Sequence, residues 1–383
     1  MENNINKNNI KIEPTKENVV VGKKVSLFEK VNSFVMKMSG VPLKERLFFV
    51  QYLGIMLKSG VSLAGGLKTL GEQTENKYFA EIIGDVAKKV EKGVSLAESL
   101  KPYEKVFGEL FINMVEAGEV SGKLEDVLTQ LYVQMKKNHE LLSKVRGALT
   151  YPVVILVAML GIGGFMMVAV VPQMLAIFKE FDAELPLATR ILIVITDALK
   201  EHGLLVGIFL IVFILLFVQA LRTYKGKYIF QGFLLKLPII ASIIKQINLA
   251  RFARTVSTLL KTDIMIIKTF QITASILGNL HYRKAILEMT IKIKKGSQIN
   301  EIVQAYPHLF PPVVSQMMSV GEQTGELDSI LAELAEFYEG EVNNVMDNLP
   351  SIIEPILILV LGVAVGGIAV AVMMPMYSLG SAM

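Results

Sequence analysis

The sequence predicts an all-α membrane protein: two repeated cytoplasmic helical-bundle modules of about six helices each, and three transmembrane helices. Three observations carry that reading. The chain contains one module twice at a constant shift of 203 positions, Gly118-Glu-Val-Ser-Gly-Lys-Leu124 returning as Gly321-Glu-Gln-Thr-Gly-Glu-Leu327. Three long blocks, 147–178, 203–221 and 355–383, carry no charged residue, and each supplies the roughly 20 apolar residues a spanning helix requires. The remainder shows helical apolar spacing punctuated by Ser, Gly and Pro, with no sustained β alternation.

The 203-residue shift also carries Leu57-Lys58 onto Leu260-Lys261, Gly93 onto Gly296, Phe107 onto Phe310 and Tyr151-Pro152 onto Glu354-Pro355. It continues through Gly163-Gly164 onto Gly366-Gly367 and Pro172 onto Pro375. Self-similarity at a fixed period marks one structural unit used twice. Hydrophobic residues make up 52% of the chain and charged residues 19%, against about 45–50% and about 25% in soluble domains. The predicted parts are a tail (1–43, disordered at least to 25), a first module (44–150), transmembrane helix 1 (151–178) and an extracytoplasmic loop (179–202). Transmembrane helix 2 (203–221), a second module (222–353), transmembrane helix 3 (354–377) and an extracytoplasmic tail (378–383) follow. Residues 1–25 are rich in Asn, Lys and Glu and lack the apolar core of a signal peptide, so targeting falls to the first span. The short run Ile191 to Ile195 is bounded by Arg190 and Asp197 and reads as interfacial.

Charge sets the expected orientation. Lys136, Lys137, Lys144 and Arg146 precede span 1, and Arg222, Lys225, Lys227 and Lys236 follow span 2. The loop between those spans sets Lys179, Arg190 and Lys200 against Glu180, Asp182, Glu184, Asp197 and Glu201. The positive-inside rule puts that loop outside and both modules in the cytoplasm. Two crossings separate the copies, so the repeat independently returns the second to the side of the first. The N-terminus is then cytoplasmic and the C-terminus extracytoplasmic, a direct repeat unlike the inverted repeats of transporters.

Within module 1, Leu47, Val50, Leu53, Ile55 and Leu57 form an apolar stripe stopped at Gly60. Ser62 caps the next helix, and a third runs over 76–92 with Phe79, Ile82, Ile83, Val86 and Val90 inward. Ser95-Leu-Ala-Glu98 has capping-box spacing, and Pro102 closes that short helix. A fifth helix spans Phe107 to Ala117, and a long sixth starts near Ser121 and runs to the membrane. The repeated Gly-Glu-x-Ser/Thr-Gly-x-Leu motif (Gly118, Glu119, Ser121, Gly122, Leu124; Gly321, Glu322, Thr324, Gly325, Leu327) then reads as a helix–turn–helix corner. Gly118 suits the left-handed C-terminal cap, and Ser121 and Thr324 suit N-capping. Glu125 and Asp328 place acids at the positive end of the helix dipole. Glu119 and Glu322 are not demanded by the turn: they are either contacts for a basic partner or weak local ion pairs.

No cysteine is present, the net charge of +4 is mild, and no dense basic run exists, which excludes thiol chemistry and argues against nucleic-acid binding. His139, His202, His281 and His308 have no metal-ligand spacing. Gly22-Lys, Gly122-Lys and Gly226-Lys lack the features of a phosphate-binding loop. The three uncharged blocks hold no acid for intramembrane proteolysis or transport. No catalytic residue, cofactor or metal is expected, and a multi-pass transporter or channel subunit is the weaker alternative.

These residues, taken in order, resemble the polytopic inner-membrane platform family of type II secretion and type IV pilus assembly machines. The resemblance covers about 45–383. It rests on the doubled corner, Arg251-Phe-Ala-Arg-Thr-Val-Ser-Thr-Leu-Leu260, Phe337-Tyr338 with Glu341-Val342, Glu354-Pro355, and the closing Pro375-Met-Tyr-Ser-Leu-Gly-Ser-Ala382. It implies a non-enzymatic scaffold that contacts a hexameric cytoplasmic assembly ATPase, pilins or pseudopilins, other inner-membrane assembly proteins and the lipid bilayer, and that forms a homo-oligomer. One departure is Lys261-Thr-Asp263, where the family has Ala-Gly after the first helix of a module, so that corner is expected to be reshaped.

Three further features bear on partners. Glu354 stands at the mouth of span 3 beside Pro355, a helix start or kink; it either pairs with a partner span or is solvated at the interface. Gly203-x-x-x-Gly207 and Gly362-x-x-x-Gly366 have close-packing spacing, for which contact among the chain's own spans is the simpler use. The helices leading into spans 1 and 3 differ in charge: Lys136, Lys137, Lys144 and Arg146 against Glu140 in one, and Glu336, Glu339, Glu341 and Asp347 with no base in the other. The two stripes either dock on each other or are solvated separately.

Overall fold

The computed structural model describes residues 40–173, 190–191, 193–194, 196–198 and 202–382. The tail to residue 39, residues 174–178 of the first span, most of the 179–202 loop and Met383 lie outside the described residues, so the expectation of a disordered tail does too; of the Ile191–Ile195 run, Ile191, Ile193 and Val194 are described and helical, with Ile191 and Val194 exposed.

Every regular element among the described residues is helical. Module 1 comprises α1 (Leu43–Lys58), α2 (Leu63–Gln73), α3 (Lys77–Glu91), α4 (Leu96–Leu100), one-turn α5 (Glu104–Phe107), α6 (Glu109–Ser121) and the stem of α7 (Leu124–Phe165). A π-helical turn at Met166–Val170 extends α7, and α8 (Gly203–Arg222) returns across the membrane. Module 2 comprises α9 (Tyr224–Leu234), α10 (Pro238–Lys261), α11 (Ile266–Ile276), α12 (Leu280–Lys294), α13 (Ile299–Gln304), α14 (Pro312–Thr324) and the stem of α15 (Leu327–Ala382). Helices α7, α8 and α15 are long and apolar enough to cross a membrane.

The caps follow the sequence. Ser62 Oγ accepts from the Gly65 amide at 3.2 Å and starts α2. Asn76 Oδ1 accepts from Phe79 and starts α3, while its repeat mate Asn279 accepts from His281 and starts α12. Each module then closes around three buried aromatic rings. In the first, Phe49, Phe79 and Phe107 have centroids 5.6, 5.8 and 5.9 Å apart. Their repeat mates Phe252, Tyr282 and Phe310 fill the second, with Phe310 5.5 Å from Phe252 and 5.4 Å from Tyr282. Fully burying such a ring contributes about 1.5–3 kcal/mol, and the one hydroxyl in the set is satisfied, Tyr282 donating to the Leu309 carbonyl at 2.6 Å. A second repeated brace joins α3 to the segment after α4. Tyr103 donates to Asp85 at 2.7 Å, and its mate Tyr306 donates to Glu288. Burial first, and the carboxylate second, pushes each phenol up to about 12, so both remain donors at neutral pH.

Helices α9 and α10 meet at 114°. Leu249, Phe252, Ala253 and Val256 of α10 lie in the core of module 2, which makes it a core helix rather than a fourth span. Helix α9 is clamped to the start of α12, with Gln231 Oε1 accepting from the Leu280 amide at 2.7 Å and the Tyr228 ring stacked 4.0 Å from His281.

Five expectations need correction. Gly118 is not the left-handed cap: it lies inside α6, and Gly122 (φ 70°) and Gly325 (φ 76°) take that role. Gly118 is small because α6 approaches α7 closely; a Cβ there would lie 3.0 Å from Val127, and one at Gly321 would lie 2.9 Å from the Leu327 backbone. Ser121 and Thr324 are not N-caps, since their hydroxyls donate back into their own helices, to Ala117 and Val320 at 2.8 and 2.9 Å. The Lys261-Thr-Asp263 corner is not reshaped. Asp263 adopts φ 60° where Gly60 has φ 85°, and the Gly60 and Asp263 amides donate alike to Leu57 and Leu260. Aspartate is among the few residues that tolerate this region. Nor is Pro355 a helix start, because α15 runs unbroken from Leu327 to Ala382. The small-residue spacings do not mediate packing among the chain's own spans: a Cβ at Gly203, Gly207, Gly362 or Gly366 meets nothing within 4 Å. The first-turn acids Glu125 and Asp328 do sit at the starts of α7 and α15.

A substitution pair checks the close-approach account. Gly321→Ala should destabilise the protein by about 1–3 kcal/mol through overpacking. Gly84→Ala, at an α3 position with nothing within 4 Å of the new methyl, should stabilise by up to about 1 kcal/mol from backbone entropy. Thermal melts of the detergent-solubilised chain should therefore shift in opposite directions.

Candidate functional site

The corner acids do not point to solvent. Glu119, near the end of α6, accepts from the Leu96 amide and, at 2.9 Å, from the Ala97 amide. Ser95 Oγ takes the next amide, Glu98, at 3.2 Å, so the start of α4 is capped by two side chains. Glu322 repeats the arrangement in module 2, accepting from Ile299 at 3.0 and 3.1 Å and from Asn300 at 3.4 Å. A carboxylate against the exposed N–H groups of a helix start is a charge-assisted contact that the helix dipole strengthens. Sequence reasoning missed this role because the donors lie more than twenty residues upstream. The signal was available in the fixed spacing from Leu96 to Glu119 and from Ile299 to Glu322.

The two modules meet along a seam formed by α6 and the α7 stem on one side and α10, α11 and α15 on the other, with α11 against α6. Buried Gln134 of α7 donates to Thr255 of α10 at 3.2 Å. Leu259 and Ile272 of module 2 insert into the core of module 1, while Leu141, Val145 and Ala148 of α7 pack onto the core of module 2. The stems then run side by side toward the membrane. Lys144 pairs with Asp347, its own repeat mate 203 residues away, at 2.9 Å, and Lys137 lies 3.8 Å from Glu339. Parallel helices in register are required for equivalent residues to meet in this way.

The acidic stripe of α15 has a stronger partner than the basic stripe of α7. Arg254 of α10 makes a two-pronged contact with Glu339 at 2.8 and 2.9 Å, both side chains 15% exposed, and lies 3.9 Å from Glu336. Lys136 instead pairs within its own helix with Glu140 at 4.0 Å, and Arg146 and Glu341 form no ion pair within 4 Å among the described residues. A small cavity of about 90 Å³ lies on this seam, lined by Lys137, Arg251, Arg254 and Glu339 among others. Burial pushes the Arg251 guanidinium down from its ordinary range. The cavity is too small for a nucleotide, and no cluster of three metal-ligating side chains occurs among the described residues. At the membrane, Glu354 of α15 and its mate Tyr151 of α7 are exposed, each followed by a proline within an unbroken helix.

Two tests separate structural from partner-binding roles. Glu119→Gln and Glu322→Gln should each cost about 1–2 kcal/mol, read as a lower melting temperature; unchanged stability with lost partner binding would instead assign them to an external contact. Arg254→Ala should cost roughly 2–3 kcal/mol, approaching the range for buried pairs, whereas Lys144→Ala should cost under about 1 kcal/mol as an exposed pair. Equal effects would contradict the ranking drawn from burial.

Comparison with known proteins converges on one family. The family described as type II secretion system (T2SS), protein F matches residues 49–172 and again 252–375, two copies at the same 203-residue offset as the internal repeat. The chain is 35% identical over 340 residues to the type IV pilus assembly protein PilC of Thermus thermophilus, covering 89% of this chain and 84% of the relative. It is 32% identical to the PilC protein of Pseudomonas aeruginosa, covering 87% of this chain and 89% of that one. It is 30% identical to the type II secretion system protein F of Aeromonas hydrophila, covering 92% and 90%. With both modules, the spans that follow them and the repeat register all matched, the chain belongs to the type II secretion system protein F family.

Proposed function

We propose that this chain is a non-enzymatic inner-membrane platform of a type IV pilus or type II secretion (pseudopilus) assembly machine. It couples a hexameric cytoplasmic assembly ATPase to the extraction and polymerisation of pilins or pseudopilins, alongside other inner-membrane assembly proteins. The observation that carries this reading is mechanical. Stems α7 and α15 are continuous with spans 1 and 3, at lengths of roughly 60 and 80 Å for a 1.5 Å rise per residue. About 30 Å of each crosses the hydrocarbon core, and the rest is gripped by the modules. Motion imposed on the modules therefore reaches the bilayer without passing through a loop.

The side chains of the spans also support the reading. Leu359 and Val363 of span 3 are 67% and 69% exposed, and most of the described side chains of span 2 are exposed, so most of the apolar surface is free for lipid or for another protein's helix. The modules face the cytoplasm in this proposal, because Lys137, Lys144 and Arg254 balance the acids that α15 brings to that side. A photoreactive residue at Leu359 or Val363 should crosslink to a pilin or pseudopilin in cells, and the purified protein should bind the assembly ATPase. Absence of both results would refute the proposal.

A further inference from the structure

The internal module–module contact is heterologous: different surfaces of the two copies meet. Module 2 offers the outer face of α10 with the start of α11, and module 1 receives it on the α7 stem around Gln134. Each copy also carries the surface that the other uses, and no described residue covers either of those two surfaces. On module 1, the repeat mates of Arg251, Thr255, Thr258 and Ile264 are Phe48, Tyr52, Ile55 and Val61. These are 37%, 42%, 51% and 42% exposed, whereas Thr255 is 1% exposed. On module 2, the mate of Gln134 is Phe337, which is 56% exposed.

These two surfaces are more apolar than the pair already buried. Phe48, Tyr52 and Ile55 form one stripe at helical spacing, with the Phe48 and Tyr52 rings 4.2 Å apart. Where module 1 places Arg-and-Thr mates, it presents two aromatic rings and an isoleucine to solvent, and a clustered apolar patch of this kind marks an interaction site. Charge agrees with the pairing. Glu326, Glu333 and Glu336 flank Phe337, and Lys44 and Lys58 stand exposed at either end of α1. The internal seam shows the same complementarity with opposite signs, Lys123 pairing with Asp263 at 3.3 Å.

We propose that a second copy of this chain fills these surfaces, the α1 face of one copy docking on the α15 stem of the other around Phe337. The contact reproduces between chains the one that joins the modules within a chain. A heterologous contact leaves an unmatched surface at each end until a ring closes, and a second copy supplies both missing halves. The membrane, holding all stems parallel, favours closure over an open filament. This proposal is independent of the machine the chain serves.

The chain has no cysteine, so paired cysteines report the contact directly. Ile55→Cys in one tagged copy and Phe337→Cys in a differently tagged copy, co-expressed at full length in membranes, should give a mixed disulfide dimer on oxidation. Gln134→Cys with Thr258→Cys in one chain is the control for the internal equivalent. Tyr52→Glu in the Ile55→Cys copy should abolish the mixed dimer, and the same change should leave the control bond intact. If the control forms and the mixed dimer does not, the proposal is wrong. Ile55–Ile55 dimers alone would overturn it in favour of a symmetric face, and a mixed dimer seen only after deletion of residues 1–39 would show that the tail covers α1 instead.

Discussion

The placement of everything at the membrane depends on the fit between the α7 stem and α10. Gln134 is buried in the seam beside Leu141, Leu259 and Ile272, and its amide is matched by Thr255. An unmatched amide at that depth costs about 1–3 kcal/mol, so sliding α7 by one residue loses the match as well as the packing of Leu141 and Val145. The register of α7 against module 2 is thereby fixed, and with it the spacing of spans 1 and 3, which continue the helices that form the seam. Arg254 secures the same register from the other side by holding Glu339 with two hydrogen bonds.

The charge asymmetry between the stems takes on a different meaning in this light. The acids of α15 are not simply the counterpart of the bases of α7. Glu339 is neutralised chiefly from inside its own module by Arg254, with Lys137 as a more distant second partner. The pair that joins equivalent positions, Lys144 and Asp347, is exposed and selects register more than it adds stability. Net charge along a helix identified the stripes correctly but could not rank their contacts, because the ranking is set by burial.

Much of the architecture was legible in the chain itself. The repeat, the three spans, the start of α2 at Ser62 and the inward face of α3 all follow from local spacing, and local spacing is what a sequence displays. The corner was harder. A Gly-x-x-x-Gly pair around a turn offers two candidates for the left-handed residue, and the choice between Gly118 and Gly122 depends on how close α7 comes to α6. That distance is tertiary. The role of Glu119 was hidden for the same reason, since its donors at Leu96 and Ala97 are brought to it only by the closed bundle. Arg254 was visible within the Arg-Phe-Ala-Arg run, yet its target eighty-five residues away was not.

Asp263 shows that the two copies keep one corner with two different residues. Its backbone keeps the left-handed conformation of Gly60 and the same hydrogen bond to the preceding turn, although the side chain costs conformational energy there. The shape of the corner is thus set by the surrounding helices more than by the residue that occupies it. Of the two copies, the first has the residue free of strain at that corner, and the second trades that freedom for a contact to Lys123 that exists only because both modules stand in one chain.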